Sequence, residues 1–135
     1  MLESYEVVIG ENEDVFGGAK IISNPYSTTN GYGTIEFASE VTAIEKNAFK
    51  YQDKLSSITL PNSIVSIGDY AFWGCKNLTR IVIPDSVTKI ENFAFEFCEK
   101  LDSIIIPGSV EYIGQNAFWY CSSLKELVIS EGVMN

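Results

Sequence analysis

Residues 78–100 read LTRIVIPDSVTKIENFAFEFCEK, and a close copy of that stretch stands 23 residues earlier and again 23 residues later. Stacking the copies aligns Ala48-Phe49, Ala71-Phe72, Ala94-Phe95 and Ala117-Phe118, followed at a constant distance by Leu55, Leu78, Leu101 and Leu124. A period of this length, with apolar residues fixed at each turn, calls for a solenoid. One coil cannot bury its own inner face and must stack on the next. The expected fold class is an α/β solenoid, a strand-rich right-handed superhelix of 23-residue repeats with one parallel sheet on its concave face.

Within a copy, Ile81-Val82-Ile83 alternates inward and outward as a strand does, and Pro84, which has no N–H to give, ends the ladder. Equivalent strands are expected at Ile58 to Leu60, Ile104 to Ile106 and Leu127 to Ile129, with Ile35-Glu36-Phe37 one period ahead, so that five parallel strands line one face. Ser63, Ser86 and Ser109 stand where the chain turns out of the strand, and a hydrogen-bonded serine ladder is expected there. Apolar pairs follow at Val41 and Ile44, Ile64 and Ile67, Val87 and Ile90, and Val110 and Ile113. The next segment, such as Asp69 to Trp73, has room for no more than a turn or two of helix. Its alanine lets neighbouring coils approach closely, and Phe49, Phe72, Phe95 and Phe118 should form a stacked spine.

Residues 1–34 do not follow the period. They hold candidate strands at Tyr5 to Ile9 and Ala19 to Ser23, an acidic turn Glu11-Asn12-Glu13-Asp14, Gly17-Gly18 and a turn-rich stretch from Asn24 to Gly33. This reads as an irregular acidic cap, which an end coil needs to cover its core and its strand edge. Residues 35–135 then form the solenoid, of about four to five coils. Val133 falls in phase with Val110, as at the start of a further coil.

Nine basic residues face 18 acidic ones, a formal charge of −9 without histidine, so a nucleic-acid backbone or an anionic membrane would be repelled. Residues 1–40 carry seven acids against Lys20 alone. No apolar run approaches the roughly 18 residues that span a bilayer. The start, Met1 to Glu6, has acids where a secretory signal has bases, which suggests a cytoplasmic protein if Met1 is the native start, or a secretory part removed or lying elsewhere.

Cys75, Cys98 and Cys121 hold one repeat position, so the solenoid sets their spacing. Without histidine or a C-x-x-C pair a zinc site has little to be built from, and a ladder of buried free thiols is favoured over a disulfide between coils. No base stands ready to activate a cysteine or serine, so no catalytic residues and no cofactor are expected. Glu11 to Asp14 lacks the spacing of a calcium loop and reads as a solvated turn. The Ala-Phe-Trp triplets at 71–73 and 117–119 suggest an aromatic carbohydrate platform.

The candidate functional residues are the outward ones of each strand. Thr59, Val82, Ile105 and Val128 should form a row about 5 Å apart, the distance between strands. Arg80 and Glu126, with Ser57 and Ser103, run beside it as a polar rim. An apolar strip framed by polar groups is how a protein-binding patch looks.

The stretch from Leu78 to Ile90 resembles the BspA-like, or treponemal-type, leucine-rich repeats, and four in-phase copies over residues 35–133 make the likeness specific. Phe16 to Asn24 is similar to the entry module that precedes such repeats in many bacterial proteins. The resemblance implies a non-enzymatic leucine-rich-repeat protein, often secreted or at the bacterial cell surface, that binds protein partners through its arc, in some members host components. It carries over no catalytic residues, and for the Ala-Phe-Trp triplets the family resemblance of the repeat implies packing on the convex side. Two other roles are open to the sequence: self-association of a longer array through the C-terminal coil, and a small intracellular acidic inhibitor that uses residues 1–14.

Overall fold

The computed structural model describes residues 21–23, 36–37, 41–53 and 55–132. Ten short strands occur among them: β1 Ile21–Ser23, β2 Glu36–Phe37, β3 Ala43–Ile44, β4 Ser57–Thr59, β5 Ser66–Ile67, β6 Arg80–Val82, β7 Lys89–Ile90, β8 Ser103–Ile106, β9 Tyr112–Ile113 and β10 Glu126–Ile129. From β3 onward each coil contributes a strand to each of two parallel rows. Pairing within a row joins residues one period apart, as Ile58 with Ile81, Leu127 with Ile104, and Ile67 with both Ile44 and Ile90. The solenoid expected from the spacing is the fold observed.

The row that the sequence marked consists of β4, β6, β8 and β10, in the expected register. It is hydrogen-bonded as two ladders, β4 with β6 and β8 with β10. The coils part between β6 and β8. At the entry to the row, the bond from the Thr79 amide to the Ser56 carbonyl is 2.9 Å and that from Lys125 to Asp102 is 2.9 Å, whereas the bond from Asp102 to Thr79 stretches to 3.4 Å. The fifth strand does not join: Glu36–Phe37 pairs antiparallel with β1. The second row, β3-β5-β7-β9, is a continuous four-stranded sheet that the sequence reading did not foresee.

No helix forms in the third side of the coil among the described residues; two successive turns take its place. Two backbone positions per coil are left-handed: Asn47, Tyr70, Phe93 and Asn116, with φ between 54° and 63°, and Tyr51, Gly74, Phe97 and Tyr120, with φ between 55° and 71°. Each such residue costs about 1–2 kcal/mol when it carries a Cβ, so something must hold it there. Bonds between coils do so. The amides of Asn47, Phe49 and Tyr51 donate to the carbonyls of Asp69, Ala71 and Trp73 at 2.7–3.0 Å, and the same triple recurs from Tyr70, Phe72 and Gly74 and from Phe93, Phe95 and Phe97. Asp69 and Asn92 add side-chain oxygens that accept from the amides of Asn92 and Gln115.

The core lies inside these three sides. Phe49, Phe72, Phe95 and Phe118 stack with centroids 5.1–5.3 Å apart and planes within 5° of parallel, as expected. Isoleucines of both rows and the alanines at 48, 71, 94 and 117 close around them. The serine ladder is only begun. Ser63 donates to the Val41 carbonyl, whereas the buried hydroxyls of Ser86 and Ser109 have no partner. The same turn closes all three coils, with the amides of Ile64, Val87 and Val110 donating to the carbonyls of Pro61, Pro84 and Pro107, so the backbone of the turn is satisfied without the serine hydroxyls. The candidate strand Tyr5 to Ile9, the acidic turn at 11–14, Gly17-Gly18, the stretch 24–33, Ile35 and Val133 lie outside the described residues.

Candidate protein-binding face

Alternation along the strands decides which side chains face out. In β6 the pattern is exposed, buried, exposed, and in β8 exposed, buried, exposed, buried. Ile81 and Ile104 therefore enter the core, while Val82 and Ile105 stand 66% and 61% exposed. Val128 lies opposite Ile105 and is 38% exposed, and Glu126 lies opposite Ser103. The backbone of Thr59 pairs with Val82, and that of Ser57 with Arg80; the Thr59 side chain lies outside the description. Arg80, Ser103 and Glu126 are exposed, so the predicted rim is present beside the predicted row.

What the sequence did not announce is the opening in the middle of this face. Where the ladder is interrupted between β6 and β8, a cleft of about 360 Å³ opens, with Val82 and Ile105 on its walls and Arg80, Asp85, Ser103 and Gly108 around them. Aliphatic walls favour an apolar guest, and the guanidinium and carboxylate supply hydrogen bonds of both kinds. Exposed cross-coil pairs, Lys125 with Asp102 at 3.2 Å and Lys76 with Glu99 at 4.0 Å, contribute little to stability at such exposure.

The cysteines form the expected ladder. Each thiol donates to a carbonyl of the preceding coil: Cys75 to Phe49 at 3.0 Å, Cys98 to Phe72 and Cys121 to Phe95, both at 3.2 Å. All three are free. Burial pushes the Cys75 thiol up to about 12 and the Cys121 thiol to about 11, and it raises Cys98 as well, where the neighbouring thiols add to the effect. Such thiols are poor nucleophiles. In the folded protein Cys75 and Cys98 should resist alkylation at pH 8 and react only in urea; ready labelling of Cys98 in the folded state would contradict the ladder. The pH dependence follows the same shift. Below the ordinary thiol value both states are neutral and stability is unaffected; as pH rises from about 9 towards 12 the unfolded chain ionises first, so stability falls. Cys75→Ala should flatten that decline, as measured by urea unfolding at pH 8 and pH 10.5.

Among the described residues no three acidic or cysteine side chains converge as a metal site would require, and no helix is long and apolar enough to cross a membrane. The sequence reading also placed Trp73 and Trp119 in convex packing. Trp73 is partly covered, with its Nε1 donating to Glu96 at 2.8 Å, but Trp119 is 52% exposed.

Comparison with known proteins agrees with this geometry. The pattern described as "BspA type Leucine rich repeat region" matches residues 19–135 in six copies. A search of the curated proteins finds no match. Among solved structures, the chain is similar to a leucine-rich-repeat protein of T. pallidum, with 29% identity and a TM-score of 0.57, over 67% of this chain and 53% of that one. It is similar to one from Bacteroides capillosus, with 29% identity and a TM-score of 0.61, over 83% and 75%. A third, from Eubacterium ventriosum, has 25% identity and a TM-score of 0.65, over 86% and 28%. The chain thus spans about half of the first and about a quarter of the third. Repeat folds of this kind are in general non-enzymatic interaction scaffolds. With the 23-residue register, the paired strand rows and a match over most of its length, the chain belongs to the BspA-type leucine-rich-repeat family.

Proposed function

We propose that the chain is a non-catalytic protein-binding module of a bacterial surface or secreted protein, and that a protein partner docks on the row Val82, Ile105 and Val128, with Thr59 continuing the row and Arg80 and Glu126 at its rim. The supporting observation is that two aliphatic residues are held more than 60% exposed on either side of an open cleft while their chain neighbours fill the core. A solvated aliphatic pair gains nothing from folding, whereas a partner side chain that enters the cleft desolvates both at once. The bacterial sources of the similar structures support the setting. The test is Val82→Asp/Ile105→Asp. The double variant should fold, because both side chains are solvent-facing, and should weaken a partner held by the wild type by at least about tenfold, or ~1.4 kcal/mol. Equal retention by both forms would remove this face from the account.

A second reading, self-association through the C-terminal coil, has its own observation. All four residues of β10 are exposed, although Ile104 and Ile106 opposite Leu127 and Ile129 are buried. Leu127→Lys/Ile129→Lys should then lower the mass found by light scattering at high concentration; a wild type that stays monomeric defeats the reading. The acidic-inhibitor role would rest on residues 1–14, outside the described part.

A further inference from the structure

The cleft between β6 and β8 is charged at its two ends and apolar in its middle. On one wall Arg80 opens β6, Val82 closes it, and Asp85 follows Pro84 in the turn; on the facing wall Ser103, Ile105 and Gly108 hold the same repeat positions. The guanidinium and the carboxylate therefore stand at opposite ends of the gap, with the exposed Val82 and Ile105 between them. Four extended residues, or about 13 Å, separate Arg80 from Pro84, where the turn begins.

The fold requires neither charge. The repeat position of Arg80 is otherwise held by Ser57, Ser103 and Glu126, and that of Asp85 by Asn62, Gly108 and Glu131. Arg80 and Asp85 enter no ion pair among the described residues, although the neighbouring coils pair Lys125 with Asp102 and Lys76 with Glu99. In a chain of net charge −9, a guanidinium left without a carboxylate is open to one from outside. The coil that carries this opposed pair is also the one at which the ladder parts, since β6 pairs with β4 and β8 with β10. The end beside Asp85 is kept open by the packing of the next coil: a Cβ on Gly108 would collide with the Glu131 carbonyl, so no larger side chain can close it.

A ligand that meets both charges must be linear, apolar at its centre and of opposite charge at its two ends. An extended polypeptide does so with alternate residues, because positions i, i+2 and i+4 share one face and cover about 13 Å. Its backbone amides and carbonyls suit the Ser103 and Ser130 hydroxyls in the lining. A segment of uniform charge is repelled at one end or the other. Resting on the protein-binding reading above, we propose that the cleft takes an extended segment of a partner protein, with an acidic residue against Arg80, a leucine-sized apolar side chain between Val82 and Ile105, and a basic residue against Asp85, at alternate positions of the segment.

The probe is a fluorescein-labelled heptapeptide amide, Ser-Glu-Ser-Leu-Ser-Lys-Ser, titrated with the whole chain and followed by fluorescence anisotropy. The wild type should bind it, and should bind at least about tenfold more weakly the peptides in which Lys is replaced by Glu or Leu by Ser. Arg80→Glu should weaken binding by a similar factor, and Arg80→Glu/Asp85→Arg should recover most of it, because the peptide can then lie in the opposite direction. Arg80 and Asp85 are exposed, so both variants should keep the wild-type circular dichroism spectrum. No binding at millimolar protein, equal binding of the all-acidic peptide, or a double variant no better than the single one would each overturn the proposal. Wild-type dimers that Arg80→Glu dissociates, seen by light scattering, would assign the cleft to a second copy instead. The broader reading fails separately: a protein partner retained by Val82→Asp/Ile105→Asp excludes the row itself, whereas loss of that partner together with no binding of the heptapeptide overturns only the chemistry of the segment.

Discussion

Replacing Phe72 with alanine should lower the stability of the folded chain by about 3–5 kcal/mol, the cost of emptying a fully enclosed phenyl site. The ring is fully buried, and it lies between Phe49 at 5.2 Å and Phe95 at 5.1 Å. Truncation removes both stacking contacts and leaves a void that neighbouring side chains can fill only by shifting a whole coil. In a solenoid each coil is stabilised by its neighbours alone, so an interior defect weakens two interfaces together. Phe118 offers the comparison. It is only partly buried and has one partner in the spine among the described residues, Phe95 at 5.3 Å, so Phe118→Ala should cost distinctly less. Urea unfolding of the two variants checks the order, and equal losses would show that the spine does not distribute stability between coils. Domains of this size are stable by about 5–15 kcal/mol, so the Phe72 variant would retain little reserve at 37 °C.

Gly114→Ala is the second large effect, and its cause is contact alone. A Cβ at this position would lie 2.4 Å from the Asn92 nitrogen and 2.5 Å from the Glu91 carbonyl carbon, both backbone atoms of the preceding coil. Neither can turn aside as a side chain does. Relief requires the coils to separate, which stretches the 2.7 Å bond from the Gly114 amide to the Ile90 carbonyl and the 2.8 Å bond from the Gln115 amide to the Asn92 side chain. Overpacking of this kind costs about 1–3 kcal/mol. One repeat pair earlier, Gly68 lies against Lys46 and Glu45 with its nearest approach at 2.7 Å, so Gly68→Ala should be milder in the same direction. A neutral Gly114→Ala would mean that the coils are looser there than the contact implies.

The residues that repeat with an invariant chemical character told their structure in advance. Phe72 and its equivalents, the three cysteines and the inward isoleucines must fill the same volume in every coil, so their spacing alone placed them. The outward row at 82, 105 and 128 was legible for the converse reason, since alternation in a strand leaves no other direction. The second sheet was not legible, because strands of two residues, such as Ser66-Ile67, are too short to alternate. The left-handed positions were hidden by identity: Asn47 and Asn116 suit that conformation, but Tyr70, Phe93 and Phe97 do not, and hydrogen bonds from the next coil hold them there. The cleft between β6 and β8 arises from a local parting of equivalent coils, which a repeat pattern by its nature averages away.

The bonds on the turn side have one further physical consequence. The peptide group that joins Asp69 to Tyr70 accepts from Asn47 and donates to Asn92, and the group that joins Asn92 to Phe93 accepts from Tyr70 and donates to Gln115. Two parallel files do the same through Phe72 and Phe95 and through Gly74 and Phe97. Peptide units linked head to tail polarise one another, as they do in an α-helix, whereas the dipoles of a strand alternate and largely cancel. The turn side therefore acts electrically as three short helices laid side by side along the solenoid axis, with their positive poles towards Tyr120 and their negative poles towards Asn47. A chain that contains no helix among its described residues thus carries a helix-like macrodipole at right angles to its own strands.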